Sequence, residues 1–189
     1  EISACLVGSE MCIRDRSSTA QTQTGFAELN GTKLYYEVAG EGHPLVLIHG
    51  GLVNRGLWDD QFSVFAQHYK VIRYDMRGFG DSGLLTADLG LYSFRQDLYD
   101  LLKFLGVEKT YVLGLSMGGG LAIDFTLEHP EMVDALIPVA AGVSGFQAKE
   151  DSNDASVSWT QVEEALQKGD IPGAVELTLQ WWTDGPLRK

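Results

Sequence analysis

Hydrophobic and polar residues alternate from Gly25 onward in segments that are typical first of strands and then of helices. The segments 26–29 and 33–38 have the length of strands and flank Asn30-Gly31, a dipeptide that favours a two-residue hairpin turn. Further along, the segment 45–48 is apolar at every position, as in a strand buried between layers of helices. The pattern therefore predicts an antiparallel hairpin followed by a buried sheet.

Segments of strand length then continue to alternate with segments of helical period. Further strands are predicted at 71–74, 110–113 and 133–140, and helices at 57–68, 92–105, 119–128, 157–168 and 174–182. One helix carries a stripe of leucines, formed by Leu98, Leu101, Leu102 and Leu105. This alternation predicts an α/β fold, with helices on both faces of a mainly parallel sheet and the last two helices outside it.

Composition and charge narrow the function classes. The chain has 189 residues, of which 44% are hydrophobic, as expected for one soluble domain with a sizeable core. Its 26 acidic and 14 basic residues give a net charge of −12, which argues against nucleic acid or an anionic membrane surface as a partner. No apolar run approaches the roughly 20 residues of a membrane helix. The compartment stays open, with the cytoplasm favoured over export, and so does the oligomeric state.

The first 16 residues differ from the rest. They have no apolar periodicity, and when back-translated they resemble a sequencing adapter, so we exclude 1–16 from the fold and interpret 17–24 as a flexible terminus. Both cysteines, Cys5 and Cys12, lie in that segment. The remainder therefore offers no disulfide, thiolate metal site or cysteine nucleophile. With no clustered metal-ligating residues and no dinucleotide-binding motif, neither a metal nor an organic cofactor is expected.

The segment Gly114-Leu115-Ser116-Met117-Gly118 fits G-x-S-x-G, a sharp turn that presents a serine between a strand and a helix. A Cβ at Gly114 or Gly118 is expected to collide with neighbouring backbone. The motif alone arises often by chance, but here it falls between an apolar strand and a helix, as the chemistry requires. Ser116 is therefore predicted to be a nucleophile.

A second motif, His49-Gly50-Gly51, follows an earlier strand. Acyl transfer requires backbone N–H groups directed at the developing oxyanion, and the expected donors are Met117 together with Gly51 or Leu52. Gly50 and Gly51 allow the backbone to approach the substrate. His49 is interpreted as a residue that supports this loop rather than as a catalytic base.

With these motifs the chain resembles the α/β-hydrolase superfamily, in the lineage of serine esterases and enol-lactone hydrolases. The matching segments are HGG at 49–51, Trp58 with Gln61, VIRYDMRGFGDSG at 71–83, GLSMGGGLAIDF at 114–125 and HPEMVDALIPVAA at 129–141. The resemblance implies a hydrolase core over 25–144, with Ser116 as nucleophile and a partial helical cap over 145–189. It also implies that Asp75 and Arg77 support the loops near the oxyanion hole. Trp159, Trp181 and Trp182 of the cap are candidates for the substrate pocket.

A base for Ser116 is not evident. His129 is the only histidine after Ser116, and it lies at the far end of the following helix, about 20 Å away by helical rise. The resemblance places the acid and the histidine after two further strands, beyond Lys189. We therefore expect a chain that is truncated at both ends, lacks normal triad catalysis and exposes a sheet edge where the missing strands pair.

Three hypotheses about function follow. The leading one is a hydrolase of small-molecule esters or lactones that forms an acyl-enzyme. The second is C–C hydrolysis, perhydrolysis or a lyase reaction on the same scaffold, and the third is a ligand-sensing protein that keeps the pocket. Epoxide opening and dehalogenation are disfavoured, because relatives with those activities carry an aspartate where this chain has Ser116.

Overall fold

The structure is a computed structural model and describes residues 22–84, 93–145 and 159–180. The predictions for 1–16 and for Trp181 and Trp182 lie outside the described residues, as does the part of the predicted flexible terminus over 17–21. The prediction of a flexible terminus up to 24 is wrong at its end, because Gln23 and Thr24 pair in the first strand. The backbone of Trp159 is described but its side chain is not. The chain divides into two compact units after Phe146.

Six strands form one sheet in the first unit. They are β1 (Gln23–Leu29), β2 (Thr32–Ala39), β3 (Pro44–Ile48), β4 (Lys70–Tyr74), β5 (Thr110–Leu115) and β6 (Val133–Val139), in the order β1-β2-β4-β3-β5-β6. β1 pairs antiparallel with β2, and β2 with β4, whereas β3, β4, β5 and β6 run parallel. The predicted α/β architecture with a mainly parallel sheet is confirmed.

The opening hairpin has the turn that its sequence predicts. Leu29 pairs with Thr32, so only Asn30 and Gly31 form the connection. Their φ values are 50° and 72°, which is the left-handed region that a type I′ turn requires at both positions. This turn brings β1 back along β2 at one edge of the sheet.

Five α-helices are described, and several bounds differ from the prediction by a turn or less. They are α1 (Asp59–Phe65), α2 (Phe94–Phe104), α3 (Met117–Glu128), α4 (Trp159–Gln167) and α5 (Ile171–Leu179). A short 3₁₀ helix, Arg55–Trp58, precedes α1, because the Asn54 side chain accepts a hydrogen bond from the Gly56 N–H and caps it. None of the described helices is long and apolar enough to cross a membrane.

The core lies on both faces of the sheet. On one face, Val46 and Ile48 pack with the residues of α2 and α3, and on the other, Leu45 and Leu47 pack with Trp58 and Phe62. The alternation along β3 explains why this strand is apolar at every position. In α2 the predicted leucine stripe is confirmed: three of its residues are fully buried, and Leu105 packs against the same cluster.

The second unit, described over 159–180, is a pair of helices. Val162 and Ala165 of α4 and Ala174 of α5 are buried between them. Asp170 caps α5 by accepting a hydrogen bond from the Gly173 N–H. The pair thus has a small apolar core of its own.

Candidate active site

The site lies where the carboxyl ends of the parallel strands meet. The loop after β3 begins at His49, the loop after β4 at Asp75, and the turn after β5 at Ser116. In open parallel sheets the loops at this edge carry the functional groups. The motifs that are separated by up to 67 residues in sequence are therefore brought to one edge of the sheet.

Ser116 occupies the turn between β5 and α3 in a strained backbone conformation. Its φ is 53° and its ψ is −115°, values that a non-glycine residue adopts only when its surroundings enforce them. The Ser116 N–H donates to the Val139 carbonyl at 2.9 Å, and the Ser116 carbonyl accepts from the Gly120 N–H. The backbone of the serine is thereby fixed to β6 and to α3, and its half-buried side chain stands at the start of α3.

The two glycines of the motif are required by close backbone contacts, as predicted. A Cβ on Gly118 would lie 2.6 Å from the Ile48 carbonyl oxygen and closer still to that of His49. A Cβ on Gly114 would overlap the Gly118 carbonyl. Only residues without a side chain allow β5, α3 and β3 to approach in this way.

The loop after β3 lies directly beside the serine turn. A Cβ on Gly50 would lie 3.7 Å from the Ser116 Cβ, and one on Gly51 would lie 3.8 Å from the Met117 sulfur. Leu52, with a φ of 63°, is a further strained residue, and its side chain is exposed. Within the described residues, no group accepts a hydrogen bond from the N–H of Gly51, Leu52 or Met117. The arrangement therefore offers unpaired N–H groups beside a serine hydroxyl.

His49 is fully buried, and both of its ring nitrogens are hydrogen-bonded. Nδ1 lies 2.7 Å from the Gly50 carbonyl oxygen, and Nε2 lies 3.0 Å from the Met76 nitrogen, whose N–H donates to it. Burial lowers the pKa of His49, against smaller opposing effects of the Gly50 carbonyl and Asp75. The ring of Phe79 packs edge-on against the imidazole. With both nitrogens engaged, His49 has no lone pair available for Ser116.

Asp75 lies at the centre of a network of charged residues that joins β2, β4 and the 3₁₀ helix before α1. Its buried carboxylate accepts hydrogen bonds from the backbone N–H of Arg55 and of Asp81, each at 2.8 Å, and pairs with the Arg55 guanidinium. Glu37 on β2 bridges Arg55 and Arg73. Although burial opposes both changes, these contacts lower the pKa of Glu37 and raise that of Arg55.

The network was not predicted beyond Asp75. Its other members are ordinary charged residues of different segments, and no local signal in the sequence pairs them. A cavity of about 340 Å³ beside it is lined by Glu37, Asn54, Arg55, Gly56, Asp59, Arg73, Gly80 and Asp81. Ser116 does not line this cavity, which therefore differs from the space in front of the serine.

Arg77 connects the loop after β4 to α2. Its guanidinium makes two hydrogen bonds to the Asp97 carboxylate, at 2.9 and 2.7 Å, and a third to the Asn30 carbonyl. Both charged side chains are almost fully buried. Arg77 thus contacts the hairpin turn and α2.

None of the four histidines hydrogen-bonds to Ser116 in the part of the chain that the structure describes. His43 packs against Tyr111, and His129, at the end of α3, stacks on Tyr99 with ring centroids 4.5 Å apart. His68 is exposed after α1. Among the described residues, no three histidine, cysteine, aspartate or glutamate side chains converge as metal ligands do.

Several known proteins with similar sequences are named as hydrolases or esterases. The (E)-2-((N-methylformamido)methylene)succinate hydrolase of Acinetobacter baylyi is 33% identical over 81% of this chain and 55% of its own length. The pimeloyl-[acyl-carrier protein] methyl ester esterase of Aliivibrio fischeri is 38% identical over 58% of this chain and 41% of its own. The chain thus spans about half the length of these relatives.

Solved structures with the same architecture carry similar names. The epoxide hydrolase CorEH superposes on 83% of this chain, over 55% of its own length, with a TM-score of 0.66 and 27% identity. The enol-lactonase of Burkholderia xenovorans covers 58% of this chain and 44% of its own, with a TM-score of 0.54 and 28% identity. A sequence model of the alpha/beta hydrolase fold matches residues 43–175. With the strand order, the serine turn and this match together, the chain belongs to the alpha/beta hydrolase fold family.

Proposed function

We propose that the protein is a serine hydrolase of carboxylic esters or lactones and that the reaction passes through an acyl-enzyme on Ser116. The observation that carries the proposal is the strained serine beside the unpaired N–H groups of Gly51, Leu52 and Met117. A hydroxyl nucleophile and two or more N–H donors around one point are the groups that acyl transfer requires. The similar proteins named as an esterase and an enol-lactonase support the same class of substrate.

The proposed reaction has two steps. The Ser116 hydroxyl loses its proton to a base and attacks the carbonyl carbon, and the oxyanion that forms accepts hydrogen bonds from Met117 and from Gly51 or Leu52. Collapse of this intermediate expels the alcohol, or opens the lactone, and leaves an ester on Ser116. Water then attacks that ester and releases the acid.

The identity of the residue in the serine turn distinguishes this reaction from epoxide opening. Several similar proteins are named epoxide hydrolases. Ester hydrolysis needs a hydroxyl nucleophile, which Ser116 provides, whereas the epoxide route implied by the resemblance uses a carboxylate. We therefore place the substrate among carboxylic acid derivatives.

The test is covalent labelling followed by turnover. The complete gene product is incubated with a fluorophosphonate, and peptide mass spectrometry locates the adduct; p-nitrophenyl butyrate and dihydrocoumarin serve as ester and lactone substrates. We expect labelling at Ser116, hydrolysis of at least one substrate, and loss of both in Ser116→Ala. Labelling elsewhere, or hydrolysis that Ser116→Ala retains, contradicts the proposal.

The 189-residue chain on its own is expected to hydrolyse esters poorly. The reason is that none of its four histidines hydrogen-bonds to Ser116, so the hydroxyl has no imidazole to remove its proton. The same assays on this chain and on the complete gene product measure the difference. Equal kcat values for the two proteins would show that the chain supplies its own base.

A further inference from the structure

The peptide bond between Gly50 and Gly51 is held by a single side chain. The Gly50 carbonyl can only accept a hydrogen bond, so the His49 Nδ1 at 2.7 Å must carry a proton. The Met76 N–H can only donate, so His49 Nε2 must present its lone pair. The two partners together select the neutral imidazole with its proton on Nδ1.

This hydrogen bond determines the direction of the neighbouring N–H. In a trans peptide the carbonyl of one residue and the N–H of the next point in opposite directions, and the described chain contains no cis peptide. Holding the Gly50 carbonyl on the His49 side therefore directs the Gly51 N–H away from the imidazole, in the opposite direction within the peptide plane. A Cβ on Gly50 would contact the Ser116 Cβ and a Cβ on Gly51 would contact the Met117 side chain, so this peptide borders the serine turn.

Two glycines make this peptide easy to rotate. A flip of the peptide plane changes ψ of Gly50 and φ of Gly51, and neither residue has a Cβ that resists the new angles. Within the described residues, no other group hydrogen-bonds to the Gly50 carbonyl or the Gly51 N–H. The His49 ring is therefore the restraint that sets the orientation.

The loop after β4 holds the His49 imidazole in place. Met76 fixes the imidazole, while the adjacent Asp75 accepts the Arg55 N–H at 2.8 Å. Two consecutive residues, Asp75 and Met76, are thus hydrogen-bonded to the two ends of the segment 49–55. Asp75 is the charged group that acts on His49, and the Phe79 ring covers the imidazole.

We propose that His49 is a positioning residue that keeps the Gly51 N–H available to the oxyanion through the Nδ1 hydrogen bond to Gly50. The inference rests on the proposed function. It assigns the two ring nitrogens different tasks: Nδ1 orients the donor peptide, and Nε2 only holds the ring on Met76. His49 touches no reacting atom in this role.

Two variants separate these tasks. The Asn side chain amide reaches the position of Nδ1, and that of Gln reaches the position of Nε2. His49→Asn keeps the donation to Gly50 and loses the contact with Met76, whereas His49→Gln does the reverse. Each variant loses one buried hydrogen bond, so the pair is matched for stability.

Kinetics of the complete gene product test the assignment. Loss of an oxyanion-hole donor lowers kcat by 10²–10³-fold, so we expect His49→Gln to lose at least about tenfold in kcat with KM within about threefold. His49→Asn is expected to stay within about threefold of the wild type. Thermal unfolding is measured for both variants. Equal kcat losses, or losses that follow the melting temperatures, would overturn the inference.

A measurement on the 189-residue chain needs no activity. Two-bond ¹H–¹⁵N correlation spectra identify the protonated ring nitrogen of each histidine at neutral pH. We expect His49 with its proton on Nδ1, and a proton on Nε2 would overturn the inference even if the enzyme were active. Absence of Ser116 labelling in the wild type would instead remove the proposed function and leave the tautomer test standing.

Discussion

Gly118 is the most constrained position of the serine turn. A methyl group there would meet the backbone carbonyls of Ile48, the last residue of the central strand β3, and of His49 directly after it, and backbone cannot move as a flexible side chain can. We expect Gly118→Ala to lower the free energy of unfolding by about 2–3 kcal/mol or more, because overpacking against rigid neighbours is costly. Urea denaturation followed by circular dichroism measures the loss.

Gly142 provides the matched control for this substitution. A Cβ on Gly142 would meet nothing within 4 Å. Gly142→Ala is therefore expected to change the free energy of unfolding by less than about 0.5 kcal/mol, the usual range for surface changes. Similar losses in the two variants would contradict the steric account of the turn.

Burial of His49 links stability to pH. Because its pKa is lowered in the folded protein, the unfolded chain binds a proton more readily in the window below the ordinary pKa of about 6.5. The stability that neutral His49 contributes is therefore present above this value and is lost as the pH falls. The loss reaches at most about 1.4 kcal/mol per pH unit.

Urea denaturation between pH 5 and 7.5 measures this dependence. The difference in free energy of unfolding between the wild type and His49→Asn is expected to shrink as the pH falls, since the variant has no group that titrates there. His68→Gln, which removes an exposed histidine, serves as control and is expected to follow the wild type. Parallel curves for wild type and His49→Asn would refute the linkage.

Local sequence was sufficient to select the single residues on which the proposals rest. Glycines that flank a serine, and a histidine before two glycines, carry their own steric and hydrogen-bonding requirements, so Ser116 and His49 could be selected without a structure. The partners of His49 could not be predicted, because the Met76 N–H that donates to its Nε2 becomes adjacent only when β3 and β4 pair.

The elements are joined at their ends by buried charges. Arg77 and Asp97 connect the loop after β4 to α2, and Asn30 adds the hairpin turn. Removing one charge leaves the other buried without compensation, so Asp97→Asn is expected to cost about 3–5 kcal/mol of unfolding free energy. Chemical denaturation at pH 7 provides the measurement.

A surface pair tests whether burial is the cause. Arg95 and Glu128 form an ion pair in which both side chains are more than 40% exposed. Glu128→Gln is expected to cost no more than about 1 kcal/mol, as exposed pairs do. If Glu128→Gln and Asp97→Asn cost the same, the explanation by burial is wrong.

Element boundaries depended on side chains near the ends. The prediction began the third helix at Gly119, whereas α3 begins at Met117, because the positive φ of Ser116 ends β5 abruptly and leaves no intervening turn. Likewise, Asn54 starts a 3₁₀ turn before α1. Asn54 played no part in the prediction from sequence, although asparagine is a preferred capping residue.

One edge of the sheet is formed by β6, a strand with exposed apolar side chains. Among the described strands, β6 pairs only with β5, and its Ile137 and Val139 side chains are each about 40% exposed. Unpaired strand edges with apolar side chains favour pairing between molecules. We expect the 189-residue chain to self-associate with rising concentration in sedimentation velocity experiments.

A lysine on the strand should reduce this association. Ile137→Lys places a charge on the exposed part of β6, whereas Val64→Lys places one on the exposed face of α1. We expect only Ile137→Lys to shift the distribution towards monomer. An unchanged distribution in Ile137→Lys would assign the association to another surface.

The overall topology followed from periodicity, but the contacts between distant segments did not. Strands apolar on both faces and helices with one apolar stripe predict a covered parallel sheet, whatever the identity of the surface residues. The Glu37–Arg55–Asp75 network joins residues up to 38 positions apart through side chains that look like surface charges in sequence. Such pairing is decided only after the strands have assembled.

The hydrogen bond from the Ser116 N–H to the Val139 carbonyl links this exposed edge of the sheet to the serine turn. Ser116, the proposed nucleophile, is hydrogen-bonded to the last residue of β6, so fraying that starts at this edge of the sheet reaches the serine before it reaches β3 or β4. Heating is therefore expected to disorder the serine turn while most of the sheet is still intact. A strand that pairs with β6 would therefore stabilise the backbone of Ser116 and also protect the exposed edge of the sheet.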